Sequence, residues 1–112
     1  MKGGCALEGL DYPVRHFEMM ARIAARCREM GAQALEHVYQ HSAFGSWLLY
    51  FDFRGGLYRL ALDARESELT LERAADPRRK DFKVVALQQP VGPDVESVVG
   101  GMLDDLAAGA GG

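Results

Sequence analysis

Few side chains in this chain are of the types that do chemistry, and their spacing limits what they can do. His37 and His41 stand four residues apart, the separation that brings two zinc ligands onto one helix face. On a strand, at ~3.3 Å per residue, the same two imidazoles lie about 13 Å apart and cannot share an ion. No third ligand of suitable type is close in sequence, so no metal is expected, and His16 belongs to the polar side of a helical pattern. The carboxylates Asp52, Asp63, Glu66, Glu68 and Glu72 gather on one predicted hairpin system. Nucleases that hold magnesium place Asp and a Glu-x-Lys pair on neighbouring strands. Here Glu72-Arg73 has no lysine at the required place, so these acids read as ion-pairing and surface groups. There is no GxSxG, no phosphate-cradling glycine loop and no paired Cys and His. No catalytic residue and no cofactor-binding residue is assigned, and no cofactor is expected.

The elements that must position these groups are well marked. Two β-favouring runs, Ser46 to Phe53 and Leu57 to Asp63, flank Gly55-Gly56, a pair suited to a two-residue turn with positive φ. With those glycines as the turn, Asp52 faces Arg59, Phe53 faces Tyr58 and Phe51 faces Leu60. Trp47, Leu49, Phe51, Phe53, Tyr58, Leu60 and Leu62 then share one apolar face. Leu69-Thr70-Leu71-Glu72-Arg73 continues the alternation, with Leu62 expected against Leu71. Phe82 to Leu87 reads as a further short strand. Gln33 to Ser42 suits a helix or a strand, and Gly31 before it, with the hairpin's need for a neighbour, favours a strand.

Helices bracket the strands. The first is expected to enter at Asp11-Tyr12-Pro13, to bury Phe17, Met20, Ile23, Ala24, Cys27 and Met30, and to stop at Gly31. Its polar face offers a Glu18–Arg22 pairing. The second starts at Asp94, with Val95, Val98, Val99, Met102, Leu103 and Leu106 as its stripe, and Gly100-Gly101 inside it implies close packing or a kink. The expected fold class is therefore α+β: a two-layer domain with an N-terminal helix, an antiparallel meander of four to five strands and a C-terminal helix, both helices on one sheet face. A length of 112 residues fits one domain, 1–112, with frayed ends at about 1–10 and 107–112.

With 48% hydrophobic and 26% charged residues the chain is of ordinary globular composition, and a net charge of −3 argues against general nucleic-acid affinity. Arg78-Arg79-Lys80 is balanced by Asp76 and Asp81, as in a solvated loop. The two cysteines, Cys5 and Cys27, make no disulfide framework, and neither a signal-peptide core nor a membrane-spanning run is present. A cytoplasmic protein is expected, without membrane or nucleic-acid partners.

The run Phe44-Gly45-Ser46-Trp47, with Phe51, Gly55-Gly56, Tyr58-Arg59-Leu60, Asp63, Arg65 and Leu69-Thr70-Leu71, resembles the central hairpins of small bacterial immunity proteins that accompany polymorphic toxins, including contact-dependent growth inhibition systems. The resemblance covers Phe44 to Arg73. It implies a non-enzymatic protein that binds and occludes one cognate toxin domain. The acidic segment Asp94, Glu96, Asp104 and Asp105 would suit a basic toxin. On the sheet face away from the helices, Tyr50 is the expected partner-binding anchor, with Asp52, Asp63, Glu68 and Glu72 around it. Two other functions fit the same residues: a small-molecule-binding or enzymatic domain with a pocket near Cys27 or Tyr39, and a dimerisation or structural module pairing through a strand edge, so a homodimer is one expected assembly.

Overall fold

A computed structural model describes residues 2–40, 45–76, 78 and 81–109, with side-chain environments from Val14 onward. The element order is α1 (Lys2–Glu29), β1 (Gln33–Gln40), β2 (Ser46–Phe53), β3 (Gly56–Asp63), β4 (Glu68–Ala74), β5 (Phe82–Gln88) and α2 (Val95–Gly109). The five strands form one antiparallel sheet in meander order, with β1 and β5 at its edges. Gln33–Gln40 is thus a strand. The α+β fold is the one expected, with both helices contributing to a core on one sheet face. None of the described helices is long and apolar enough to cross a membrane.

That core contains Trp47, Leu49, Phe51, Phe53, Tyr58, Leu60, Leu69 and Leu71 from the sheet, with Met20, Ile23, Cys27, Val99, Met102 and Leu103 from the helices. Helix α1 differs from expectation at two places. It begins at Lys2, ahead of Asp11, and carries Pro13 within it. Its buried stripe also includes His16 in place of Phe17, which is about half exposed. Positions 16, 20, 23 and 27 keep the three- and four-residue spacing of one helix face, and this row sets the helix's rotation on the sheet.

Helix α2 starts as read: the Asp94 side chain accepts a hydrogen bond from the Ser97 N–H at 3.0 Å, a helix N-cap. Close packing at Gly100 is also found, where a Cβ would lie 3.4 Å from the Arg26 guanidinium of α1, whereas Gly101 has nothing within 4 Å. The two helices are further joined by Arg22–Glu96 and Arg26–Asp104 ion pairs. Arg22 thus hydrogen-bonds to Glu96, while the expected local partner Glu18 still adds a favourable charge to it.

The hairpin register departs from the expected one by two residues. Phe51 pairs with Tyr58, Tyr50 with Arg59 and Asp52 with Leu57, so Asp52 does not face Arg59. The turn residues are Arg54 and Gly55, with φ of 49° and 80°. Gly56 instead belongs to β3, opposite Phe53, where an added Cβ would come within 3.0 Å of the Tyr58 ring and 3.2 Å of the Arg73 side chain. Close approach explains this second glycine, which leaves arginine in the left-handed position beside Gly55. The next hairpin shifts in the same way, with Leu62 against Leu69 and Leu60 against Leu71. A two-residue slip preserves the faces, so every apolar position assigned to the core side stays there.

Each edge strand carries an extra residue. Leu35 has no partner in the β1–β2 register and Val85 none in the β4–β5 register, which marks a bulge on either edge.

Candidate functional site

The sheet face away from the helices is less open than its sequence implies. Arg59, opposite Tyr50 on one side and Glu72 on the other, reaches the Glu72 carboxylate at 2.5 Å. Thr70 donates a hydrogen bond to the other Glu72 oxygen at 3.1 Å. The Arg59 guanidinium lies over the ring of Phe82, 4.2 Å from its centroid, and 5.9 Å from that of Tyr50. Burial works against the Arg59 charge, but hydrogen bonds to Tyr50 and Glu72, with the Glu72 charge, outweigh it and raise its pKa.

These contacts sort the five expected partner-binding residues into three places. Tyr50 and Glu72 meet at the centre of the face through Arg59, and the Glu72 side chain is only 14% exposed. Asp63 and Glu68 are paired at the β3–β4 end, where Asp63 accepts hydrogen bonds from the Arg65 and Glu66 N–H groups and so shapes the turn. Asp52 is exposed near the opposite end, between Gln33 and Leu57. The acids therefore do not ring the tyrosine.

An uncovered apolar surface lies at the β5 edge. Val84, Val85 and Leu87 are 54%, 54% and 53% exposed. The register puts Val84 beside Glu72 and Leu87 beside Thr70, on the face that carries Tyr50, Arg59 and Phe82. An edge strand offers unpaired backbone groups along one side, and Lys83 is the one charged residue in Phe82–Gln88. Apolar strand, aromatic pair and arginine form a continuous patch of the composition found at protein interfaces. The sequence carried a signal for it: Phe82-Lys83-Val84-Val85-Ala86-Leu87 has no polar alternation, unlike the half-solvated strands before it.

A second cluster lies where α1 meets β1. His16 is 8% exposed, and its Nε2 is 2.9 Å from that of His37. The His16 ring also packs on Tyr39, with centroids 4.2 Å apart, and on Phe17 at 5.3 Å. Burial, then the nearby His37, lowers the His16 pKa from 6.5 to about 4, and burial lowers that of His37 as well. Beside them is a cavity of about 420 Å³ whose lining includes His16, Met19, Tyr39, Trp47, Arg22 and Glu96. His16 was expected on the polar face; its place four residues before Met20 was the available clue to burial. His41 lies outside the described residues.

Cys27 is fully buried, and burial raises its thiol pKa to about 11, so it is a core group rather than a nucleophile at neutral pH. Among the described residues no three or more His, Cys, Asp or Glu side chains are grouped to hold a metal ion. No family model, curated protein or solved structure matches this chain.

Proposed function

We propose that this chain is a protein-binding domain that acts without catalysis, in the manner of a toxin-neutralising immunity protein, by covering a surface of its partner. The observation that carries this reading is the β5 edge: Val84 and Leu87, each more than half exposed, lie on the face that carries Tyr50, Arg59 and Phe82. Burying Val84 and Leu87 against a partner would supply the apolar centre of an interface, and Arg59 and the aromatics are the types that most often dominate its energy. Asp52, Asp63 and Glu68 would act at its margins, steering association with a basic partner.

The test is titration calorimetry against the variable C-terminal domain of a large secreted protein encoded beside the gene. Val84→Lys and Leu87→Lys are expected to weaken binding by about 2 kcal/mol or more while leaving the fold intact. Charge reversal at Asp63 and Glu68 is expected to slow association in a salt-dependent way. Unchanged affinity in the β5 variants would remove the edge from the interface, and absence of binding by the parent would remove this reading. The same edge also favours a dimerisation module, in which two β5 strands pair antiparallel about a two-fold axis. Sedimentation at micromolar concentration separates the two, since the immunity reading calls for a monomer there.

A further inference from the structure

We propose that the cavity between β5 and the C-terminal half of α2 is a binding site for a free apolar α-amino acid, with Arg73 taking its carboxylate and Asp105 its ammonium group. The walls are the first reason. The cavity, of about 290 Å³, is lined by Tyr58, Leu71, Met102 and Leu106, the first three of them core side chains less than a tenth exposed. It therefore opens into the hydrophobic core between helix and sheet. Its volume lies at the lower end of small-molecule sites, which run from about 300 to about 1,000 Å³, and suits a ligand the size of one amino acid. Val85, the extra residue of the β5 bulge, lines the same cavity while staying 54% exposed, so the bulge adds an apolar wall without closing the opening.

The second reason is a pair of opposite charges on different walls. Arg73 of β4 and Asp105 of α2 both line the cavity and are both exposed. Among the described residues neither has an ion-pair partner, and they do not pair with each other, whereas Arg22, Arg26 and Arg59 each hold a carboxylate. The Arg73 guanidinium is held in place over the Tyr58 ring, 5.6 Å from its centroid, and beside Gly56.

This charge pattern selects the ligand. Arg73 suits a carboxylate, but a simple apolar acid would also meet Asp105. An ammonium group on the same ligand turns that repulsion into attraction. The end of α2 acts in the same direction: Gly109 lines the cavity, and the last turn of the helix has no basic side chain to offset the negative end of its dipole. An apolar side chain on the ligand would then lie against Tyr58, Met102 and Leu106. The site is on the helix side of the sheet, away from Tyr50, Val84 and Leu87, so it does not rest on the protein-binding reading.

The experiment titrates the full-length protein with L-leucine, L-methionine and L-phenylalanine by calorimetry, beside backbone amide spectra. The expected result is one ligand per chain with sub-millimolar affinity, and amide shifts centred on β4, β5 and the C-terminal half of α2. Three further probes each lack one recognised group: leucinamide the carboxylate, isocaproate the ammonium and glycine the apolar side chain. Each should bind at least about tenfold more weakly than leucine. Arg73→Gln and Asp105→Asn, both at exposed positions, should weaken leucine binding by a similar factor. Asp105→Asn should at the same time bind isocaproate more tightly than the parent does, a gain that damage to the fold would not produce. Absence of both heat and shifts with millimolar amino acid would overturn the proposal. Equal affinity for leucine, leucinamide and isocaproate would overturn it too, leaving an apolar crevice without charge recognition. So would unchanged leucine affinity in either variant.

Discussion

Tyr50 of β2 and Phe82 of β5 come from strands separated by β3 and β4, yet their rings meet edge to face with centroids 5.8 Å apart. The twist of the sheet lets two long side chains close over the strands between them, and Arg59 fills the space beneath. This contact makes Tyr50 part of the fold as well as part of the candidate interface.

Tyr50→Ala should therefore lower stability as well as binding. A double-mutant cycle with Phe82→Ala, read from urea unfolding midpoints, should give a coupling of about 0.5–1.5 kcal/mol. Additive effects would mean that the rings do not support each other in solution.

Phe51 is fully buried between Ala34 and Tyr58, its partners on the neighbouring strands, and stacks on the Tyr58 ring at 5.4 Å. Phe51→Ala should cost about 3–5 kcal/mol, a large part of the stability of a domain this size. Thermal unfolding within a few degrees of the parent would contradict its place at the centre of the core.

The two adjacent helix glycines should respond differently. Gly101→Ala adds a methyl group into open space within α2 and should stabilise the protein by about 0.5–1 kcal/mol through helix propensity. At Gly100 the added carbon would press on Arg26 at 3.4 Å, so the same change should yield less or nothing. Equal gains in chemical denaturation would show that the α1–α2 approach is not limited by Gly100.

Stability should fall as pH drops below neutrality. His16 has its pKa lowered to about 4 in the fold against an ordinary 6.5, so the unfolded chain takes up a proton that the folded chain resists. The contribution is complete above pH 6.5, is lost as pH falls towards about 4, and is on the order of 3 kcal/mol at ~1.4 kcal/mol per unit. Tyr39 and His37 face the ring from β1, and Arg15, Arg22, Asp94 and Glu96 line its cavity; the lowered His37 acts with the same sign. Glu96, itself held below its ordinary 4.5 by Arg22, adds nothing until the pH nears that value. Urea midpoints between pH 7.5 and 5 should fall for the parent and fall less steeply for His16→Gln, which keeps only the smaller contribution of His37. A parallel fall in both would assign the effect elsewhere.

The sequence by itself determined which face of each central strand is buried, where α2 begins, and that helices bracket an antiparallel meander. These are local properties: side chains alternate at every residue of a strand, and Asp94 caps a helix whose first turn is its own neighbour in the chain. Alternation also survives a two-residue slip, which is why Trp47, Phe51 and Leu60 fall in the core although the pairing expected for Asp52 and Arg59 does not form. Register needed the third dimension. Gly55-Gly56 permits either turn, and the choice rests on Tyr58 and on Arg73 of β4, whose side chains leave no room for a Cβ at Gly56. Long-range contacts decided the candidate sites in the same way. His16 meets His37 across 21 residues, and Tyr50 meets Phe82 across two intervening strands. Neither separation is encoded by a helical or strand period; both arise from how α1 is rotated on the sheet and how the sheet twists.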